Sequence, residues 1–285
     1  KSRQMLRRAR KRNPRALVVA AGCYVQAASP EALAEAGVDL AVGNEKKGRL
    51  AEILEEYFAQ EDMEETVTEI GKPHPYEKME LETVTSHNRA FIKVQDGCNQ
   101  FCSYCIIPYT RGRVRSRRPE EAAREIARLA GQGIREFVLT GIHLSSYGAE
   151  WKEEGVNLLE LIRRIHEVPG AERIRLGSLE PRIITDEFIE GLKNLPKVCR
   201  HFHLSLQSGC DATLKRMNRR YDSGEYYEKC RKIREAFPEA AITTDVIVGF
   251  PGETEEEFAE TRAFLEKVGF YEMHIFKFSA RKGTR

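Results

Sequence analysis

From residue 90 onward, apolar or β-branched runs at 90–95, 135–140, 173–178, 201–207, 241–249 and 271–279 alternate with helix-periodic segments at 119–131, 157–167, 186–193, 211–235 and 254–267. Short continuous apolar runs read as buried strands, and apolar positions three and four apart read as amphipathic helices. Their alternation implies parallel strands joined by right-handed crossovers. Six such strands predict a partial (β/α)6 barrel over residues 89–285. Ahead of it, a run at 16–21, a second at 38–42 and a periodic segment carrying Leu50, Ile53, Leu54, Tyr57 and Phe58 predict part of a small α/β domain over 1–60. Residues 61–88, acidic and then bearing Pro73 and Pro75, read as a linker. Ser29 before Pro30, and Thr254 three residues before Glu257, carry helix-start signals, the latter a capping box.

In parallel α/β barrels the chemistry sits at the C-terminal ends of the strands. Spacing puts the polar and glycine-bearing stretches there: Cys98, Cys102 and Cys105 after the first strand, and Thr140, Gly141 and His143 after the second. Ser178 and Glu180 follow the third, Gln207 and Ser208 end the fourth, and Gly249, Gly252 and Glu253 follow the fifth. Ser279 and Arg281 follow the sixth. The cysteines are spaced C-x3-C-x2-C, and the next cysteine is Cys199. A closed zinc site needs a fourth ligand, and a four-iron cluster is usually closed by four thiolates. Three local thiolates therefore suit a cluster with one open iron, against which stand a disulfide or a simple metal knuckle. The run Gly249 to Glu255 lacks the lysine-serine/threonine ending of a phosphate loop and reads as a tight turn after a buried strand.

Composition sharpens this picture in two places. Seven cysteines, an odd number, with three bunched, argue against a secreted disulfide scaffold and for a reducing, cytoplasmic setting. No run reaches the roughly eighteen apolar residues of a membrane span. The net charge of +2 hides asymmetry: Lys1, Arg3, Arg7, Arg8, Arg10, Lys11, Arg12 and Arg15 precede any acid, which fits either a solvated helix face or phosphate contact. Arg111, Arg113, Arg115, Arg117 and Arg118, beside the cysteines, read as an extended segment with several guanidinium groups on one side, suited to RNA phosphates; a solvated strand is the other reading. Cys199, Cys210 and Cys230 read as structural, and His143 shows no titrating partner in the sequence.

The segment from Gly97 through Cys105 to Arg118 closely resembles the radical S-adenosylmethionine (SAM) methylthiotransferases, in particular the branch that modifies tRNA. Further agreement comes from Gly22-Cys23-Tyr24-Val25-Gln26, Leu139-Thr140-Gly141-Ile142-His143, Leu204 to Gly209, Met217 to Tyr221 and Thr244 to Thr254. The resemblance implies the radical SAM barrel fold, preceded by part of the family's N-terminal α/β domain. It implies a [4Fe-4S] cluster on Cys98, Cys102 and Cys105 that chelates SAM, with Tyr104 beside the adenine. Thr140 and Gly141 would meet the methionine amino group, and Ser178, Glu180, Gln207, Arg219 and Val246 are the further candidates for SAM contacts. Gln207 and the trio Arg216, Arg219 and Arg220 are the candidates for the carboxylate and ribose, and the planar fork of a guanidinium puts Arg219 on the carboxylate. Cys23 matches the last of three ligands to a second [4Fe-4S] cluster, the implied sulfur carrier; two more cysteines upstream and a small RNA-binding β-barrel (the TRAM domain) downstream belong to the same pattern. The implied partners are the tRNA anticodon loop, an electron donor protein and a sulfur donor, with no membrane. The implied reaction adds a methylthio group to C2 of N6-threonylcarbamoyladenosine. Isopentenyladenosine is the alternative substrate, and a non-catalytic, metal-stabilised RNA-binding module the alternative of another class.

Overall fold

The computed structural model describes residues 1–60, 65–72, 74–84 and 88–284. Pro73 and parts of the segment read as a linker lie outside the described residues. The chain divides into two compact units, Lys1–Met79 with Ile106–Arg113, and Glu80–Cys105 with Val114–Arg285.

The first unit comprises α1 (Ser2–Arg12), β1 (Val19–Ala21), α2 (Cys23–Ala27), α3 (Pro30–Glu35), β2 (Leu40–Val42), α4 (Leu50–Ala59) and α5 (Ile107–Thr110). β1 and β2 pair in parallel. Leu40, Val42 and Ile53 form a small core, with Leu54 and Tyr57 packed against it. Ser29 caps α3 by accepting from the Ala32 amide, with proline in the first turn. α1 buries no residue, so packing does not hold it. Arg10 does, donating to the Pro14 and Ala16 carbonyls at 3.0 Å, to the Gly37 carbonyl at 3.2 Å and to the Asp39 carboxylate.

The second unit runs β3 (Arg89–Asp96), β4 (Arg115–Ser116), α6 (Pro119–Gly131), β5 (Glu136–Gly141), α7 (Leu158–His166), β6 (Arg173–Leu176), α8 (Asp186–Lys193), β7 (His201–His203), α9 (Asp211–Arg216), α10 (Ser223–Ala236), β8 (Ala241–Val248), α11 (Glu255–Val268) and β9 (Glu272–Lys277). Strands pair in the order β4-β3-β5-β6 and β7-β8-β9. Parallel bridges Ile174–Val198 and Leu179–Leu204 join the two groups. The six parallel strands β3, β5, β6, β7, β8 and β9 thus form the partial barrel that the periodicity predicts. Ile92, Phe137, Leu139 and Ile174 from the strands pack on Ile126, Leu129, Leu161, Ile162 and Ile165 from the helices. Thr254 and Glu257 form the expected capping box on α11.

Three local expectations change. The single helix expected over 211–235 is two, because Asn218 adopts a left-handed φ of 57° and Asp222 caps α10, accepting from the Glu225 amide. β4 pairs antiparallel to β3 through Gln95–Ser116 and Asp96–Arg115; two polar residues gave no strand signal. The outward row of arginines is the larger correction. Arg115 and Arg117 are buried, Arg115 lying 3.9 Å from Asp96, and Arg117 pairing with Glu125 and, at 2.8 Å, with Glu80. Burial does not alternate along the segment: Arg115, Ser116 and Arg117 are all buried, while Arg113 and Arg118 are exposed. Arg118 pairs with Glu154 at 2.6 Å and lies over the Trp151 ring.

Candidate SAM and cluster site

β3 ends in two buried polar residues, Gln95 and Asp96, and these start the cysteine loop. Gln95 donates to the Asp96 and Gly97 carbonyls at 2.7 and 2.8 Å, and accepts from the His143 amide at 2.7 Å. Asp96 accepts from the Gly97 amide at 2.8 Å. Gly97 has φ 71° and Phe101 φ 53°, so the loop turns twice through the left-handed region. Its far side is pinned to the end of α9: the Ser103 amide donates to the Met217 carbonyl at 3.1 Å, the Ser103 hydroxyl to the Arg216 carbonyl at 2.8 Å, and Asn218 to the Phe101 carbonyl at 2.8 Å. The break between α9 and α10 thus supplies both the clamp on the loop and the release of Arg219 toward it.

The three cysteines form no disulfide; Cys98 is buried and the other two are half-buried. Burial pushes the Cys98 thiol up to about 11, with Cys102 and Cys105 adding to the rise and the Gln100 amide opposing it. A thiol so placed keeps its proton until a cation takes its place. Donors already point at the sulfurs, Gln100 N to Cys98 Sγ at 3.5 Å and Arg219 Nη1 to Cys102 Sγ at 3.2 Å. Thiolate ligands that accept N–H bonds are the donor set of an iron–sulfur cluster, so these residues fit one.

Around the loop, Glu180, Arg219, His143 and Tyr221 form one polar cluster. Arg219 Nη2 lies 3.6 Å from Glu180 Oε1, and His143 Nε2 lies 3.4 Å from Glu180 Oε2. Gln100 Nε2 donates to Glu180 at 3.4 Å, and Arg219 Nε donates to the Tyr221 hydroxyl at 2.9 Å. Burial alone would raise the Glu180 carboxyl, but His143, Arg219 and Arg182 outweigh it and hold the group below its usual range. Burial likewise opposes the Arg219 charge, and the surrounding Tyr221, Tyr104, Cys102 and Glu180 more than compensate. His143 therefore has the carboxylate partner that the sequence did not reveal, and its Nδ1 is 2.6 Å from the Ser146 hydroxyl.

The other expected residues divide. Tyr104 packs edge-on against Phe250, whose ring meets Phe278 in turn. Together with Ser103, Arg216, Asn218 and Pro251 they line a pocket of about 430 Å³. Gln207, at φ 75°, accepts from Ile247 N and donates its amide to Asp245 O, tying the loop after β7 to β8. The half-buried Thr140 donates to the Ile92 carbonyl at 3.3 Å. A Cβ on Gly141 would stand 2.8 Å from Gln95 Oε1, so this position lets Gln95 pack close. Ser178 is exposed after β6. Val246 shares the face of β8 that carries Thr244, which meets Tyr226 of α10, so its buried side chain packs outward. Gln95, Gln100 and Tyr221 were missed; the signal available for the first was a glutamine in an apolar strand directly before the cysteines.

Cys23 belongs to the first unit. It opens α2 after Gly22 at φ 93°. Arg111 Nε lies 3.1 Å and Asn44 Nδ2 3.5 Å from its sulfur, and Asn44 also donates to the Thr110 carbonyl at 2.6 Å. The sulfur thus sits between a guanidinium and a carboxamide.

The sequence profile of the radical SAM superfamily matches residues 92–265. The chain is 41% identical over its whole length to the threonylcarbamoyladenosine tRNA methylthiotransferase MtaB of Bacillus subtilis (strain 168), covering 63% of that protein. It is 43% identical to the protein of the same name from Aquifex aeolicus (strain VF5), of which it covers 68%. The chain therefore spans about two thirds of the length of these curated relatives. Among solved structures, the radical SAM methyltransferase TsrM of Kitasatospora setae superposes with a TM-score of 0.72 at 18% identity, over 96% of this chain and 57% of that one, a likeness of fold.

Proposed function

The chain belongs to the radical SAM superfamily and, within it, to the methylthiotransferases, and we propose that it carries the catalytic core of a cytoplasmic tRNA methylthiotransferase acting on C2 of N6-threonylcarbamoyladenosine beside the anticodon. The observation that carries this reading is the convergence of the three cysteines of one loop with the Arg219–Glu180–His143 cluster at the C-terminal ends of the barrel strands. When bound, the cluster supplies the electron that cleaves SAM to methionine and a 5′-deoxyadenosyl radical.

The residues' own tasks follow from the geometry. Cys98, Cys102 and Cys105 hold the cluster. Arg219 and Glu180, opposite charges close together and shielded from water, offer a carboxylate partner and an ammonium partner, which are the two charged groups of the methionine end of SAM. Thr140, Gln207 and Ser178 frame the same rim. Tyr104 and Phe250 offer aromatic surface to the adenine. Val246 contributes only backbone, given its outward side chain. Cys23, with Arg111 and Asn44 around it, is the ligand this chain offers to the second cluster of the intact protein. The electron donor protein and sulfur donor act on those two centres. Exposed cations on α1, which buries nothing, are the RNA-facing charge.

The test has two parts. Anaerobic reconstitution should load about one four-iron cluster and yield 5′-deoxyadenosine from SAM with a strong reductant; a C98A/C102A/C105A variant that keeps its iron would refute the site. Nucleoside analysis of tRNA from a strain lacking the intact gene should show loss of the methylthio form of threonylcarbamoyladenosine. Loss of the isopentenyladenosine derivative instead would assign the alternative substrate, and unchanged tRNA would reject both.

A further inference from the structure

A second donor set lies on the three last strands. His203 ends β7, Asp245 lies in β8, and His274 lies in β9 directly opposite Asp245 in the parallel register. One ligand atom from each falls within 4.8 Å of the other two. His203 Nε2 is 3.2 Å from Asp245 Oδ2, and the two imidazole rings are 6.0 Å apart. All three share one face of the sheet. Thr244, the neighbour of Asp245, meets Tyr226 of α10, and Phe202, the neighbour of His203, stacks on Phe237, so the intervening residues face the helices and these three face away.

We propose that His203, Asp245 and His274 form a binding site for a divalent transition metal of the zinc class. Two imidazoles and one carboxylate are the donor set of such ions rather than of calcium or magnesium, which prefer oxygen alone. Bonds of the usual length in a tetrahedron hold ligand atoms about 3.4 Å apart, and the His203–Asp245 pair already meets this. The supporting shell is present too. His203 Nδ1 is 2.9 Å from the Thr243 hydroxyl, which lies 3.3 Å from His201 Nε2. The Thr243 hydroxyl can therefore accept a hydrogen bond from His203 Nδ1–H while donating one to His201 Nε2, which favours the His203 tautomer whose Nε2 a metal would take. His201 Nδ1, buried, has no hydrogen-bond partner in this network. Three ligands from one sheet face leave at least one coordination position open, so a small donor such as water completes the site.

Cobalt(II) titrated into the chain carrying C98A/C102A/C105A, which removes the three clustered thiols, should saturate at a single equivalent with nitrogen–oxygen ligand-field bands and no sulfur charge-transfer band. T243V should weaken binding about tenfold, and H274Q, on an exposed strand that keeps the fold, should weaken it further. Should the cysteine variant fail to fold, zinc content of the wild-type chain with its cluster in place gives the same reading, one equivalent being lost in H274Q. Absence of saturable uptake, or uptake indifferent to H274Q, would overturn the proposal. Neither arm depends on SAM cleavage or tRNA modification.

Discussion

Two buried arginine–glutamate pairs in the barrel unit differ in how completely they are closed. Arg117 and Glu125 are each 2% exposed, and the guanidinium also reaches Glu80 and the Glu121 carbonyl. Tyr147 closes over the same place, donating to the Arg117 carbonyl at 2.5 Å. Arg219 and Glu180 are nearly as buried, yet they stand 3.6 Å apart and divide their contacts among a cysteine sulfur, a tyrosine, a glutamine and a histidine. The first pair is closely matched and ties the residue after β4 to α6. The second pair is loosely matched, and so retains charge with which to meet a ligand. Burial alone does not separate a structural ion pair from a site; the closeness of the match does.

The sharpest way to break this comparison is to remove one partner of the closed pair. E125A leaves the buried Arg117 charge with the partly exposed Glu80 and the Glu121 carbonyl among the described residues, and should destabilise the unit by about 3–5 kcal/mol, read as a lowered urea midpoint. E180A should cost clearly less, since the Arg219 charge keeps the Cys102 sulfur and Tyr221. Equal losses would erase the distinction.

Function should rank the two in reverse. R219K keeps the charge but loses the planar fork, and should lower SAM cleavage by about tenfold or more, roughly the worth of one charge-assisted hydrogen bond, while the urea midpoint moves little. R117K should leave the cleavage rate of the folded fraction unchanged. Cleavage that survives R219K at full rate would return Arg219 to a structural role beside the cysteine loop.

Both pairs show what the sequence could and could not disclose. Strand and helix positions were legible because each carries its own period, and the cysteine loop because its spacing is local. Arg219 and Glu180 were nameable from resemblance, but their juxtaposition was not, since it depends on the chain leaving the helical path at Asn218. The arginines of 111–118 were misjudged for a related reason. Alternation in the sequence suggests two faces, and only the acidic residues brought in from elsewhere, Asp96, Glu125 and Glu80, decide which arginines are inward. The His203–Asp245–His274 set was equally hidden, because its members come from three strands. The tRNA-binding test moves accordingly: substitutions of Arg7, Arg8 and Lys11 on α1, whose residues are not buried, should weaken tRNA binding and flatten its salt dependence. Unchanged binding would shift the contact to Arg113 or to other surfaces.

A third cluster, intermediate in exposure, gives the smallest effect and tests the same idea through pH. Glu136 accepts from Arg173 Nε at 3.0 Å and Arg175 Nε at 3.1 Å. Burial would raise its carboxyl, but the two guanidinium groups outweigh that and hold it below the ordinary range. A carboxyl lowered in the folded state binds its proton less readily than in the unfolded chain, so its contribution is complete above the ordinary glutamate pKa and fades as pH falls through the lowered value. The chain should therefore lose part of its stability on acidification below about pH 4.5, and E136Q should lose less over that interval while being slightly less stable at neutral pH. Because Arg173 is largely exposed, solvent screens its share, and the difference should shrink further in high salt. Denaturation midpoints of the two proteins at neutral and acidic pH, with and without salt, decide the matter. Parallel curves would mean that Glu136 is as weakly engaged as any surface glutamate, and that only closed pairs like Arg117–Glu125 contribute measurably to this unit.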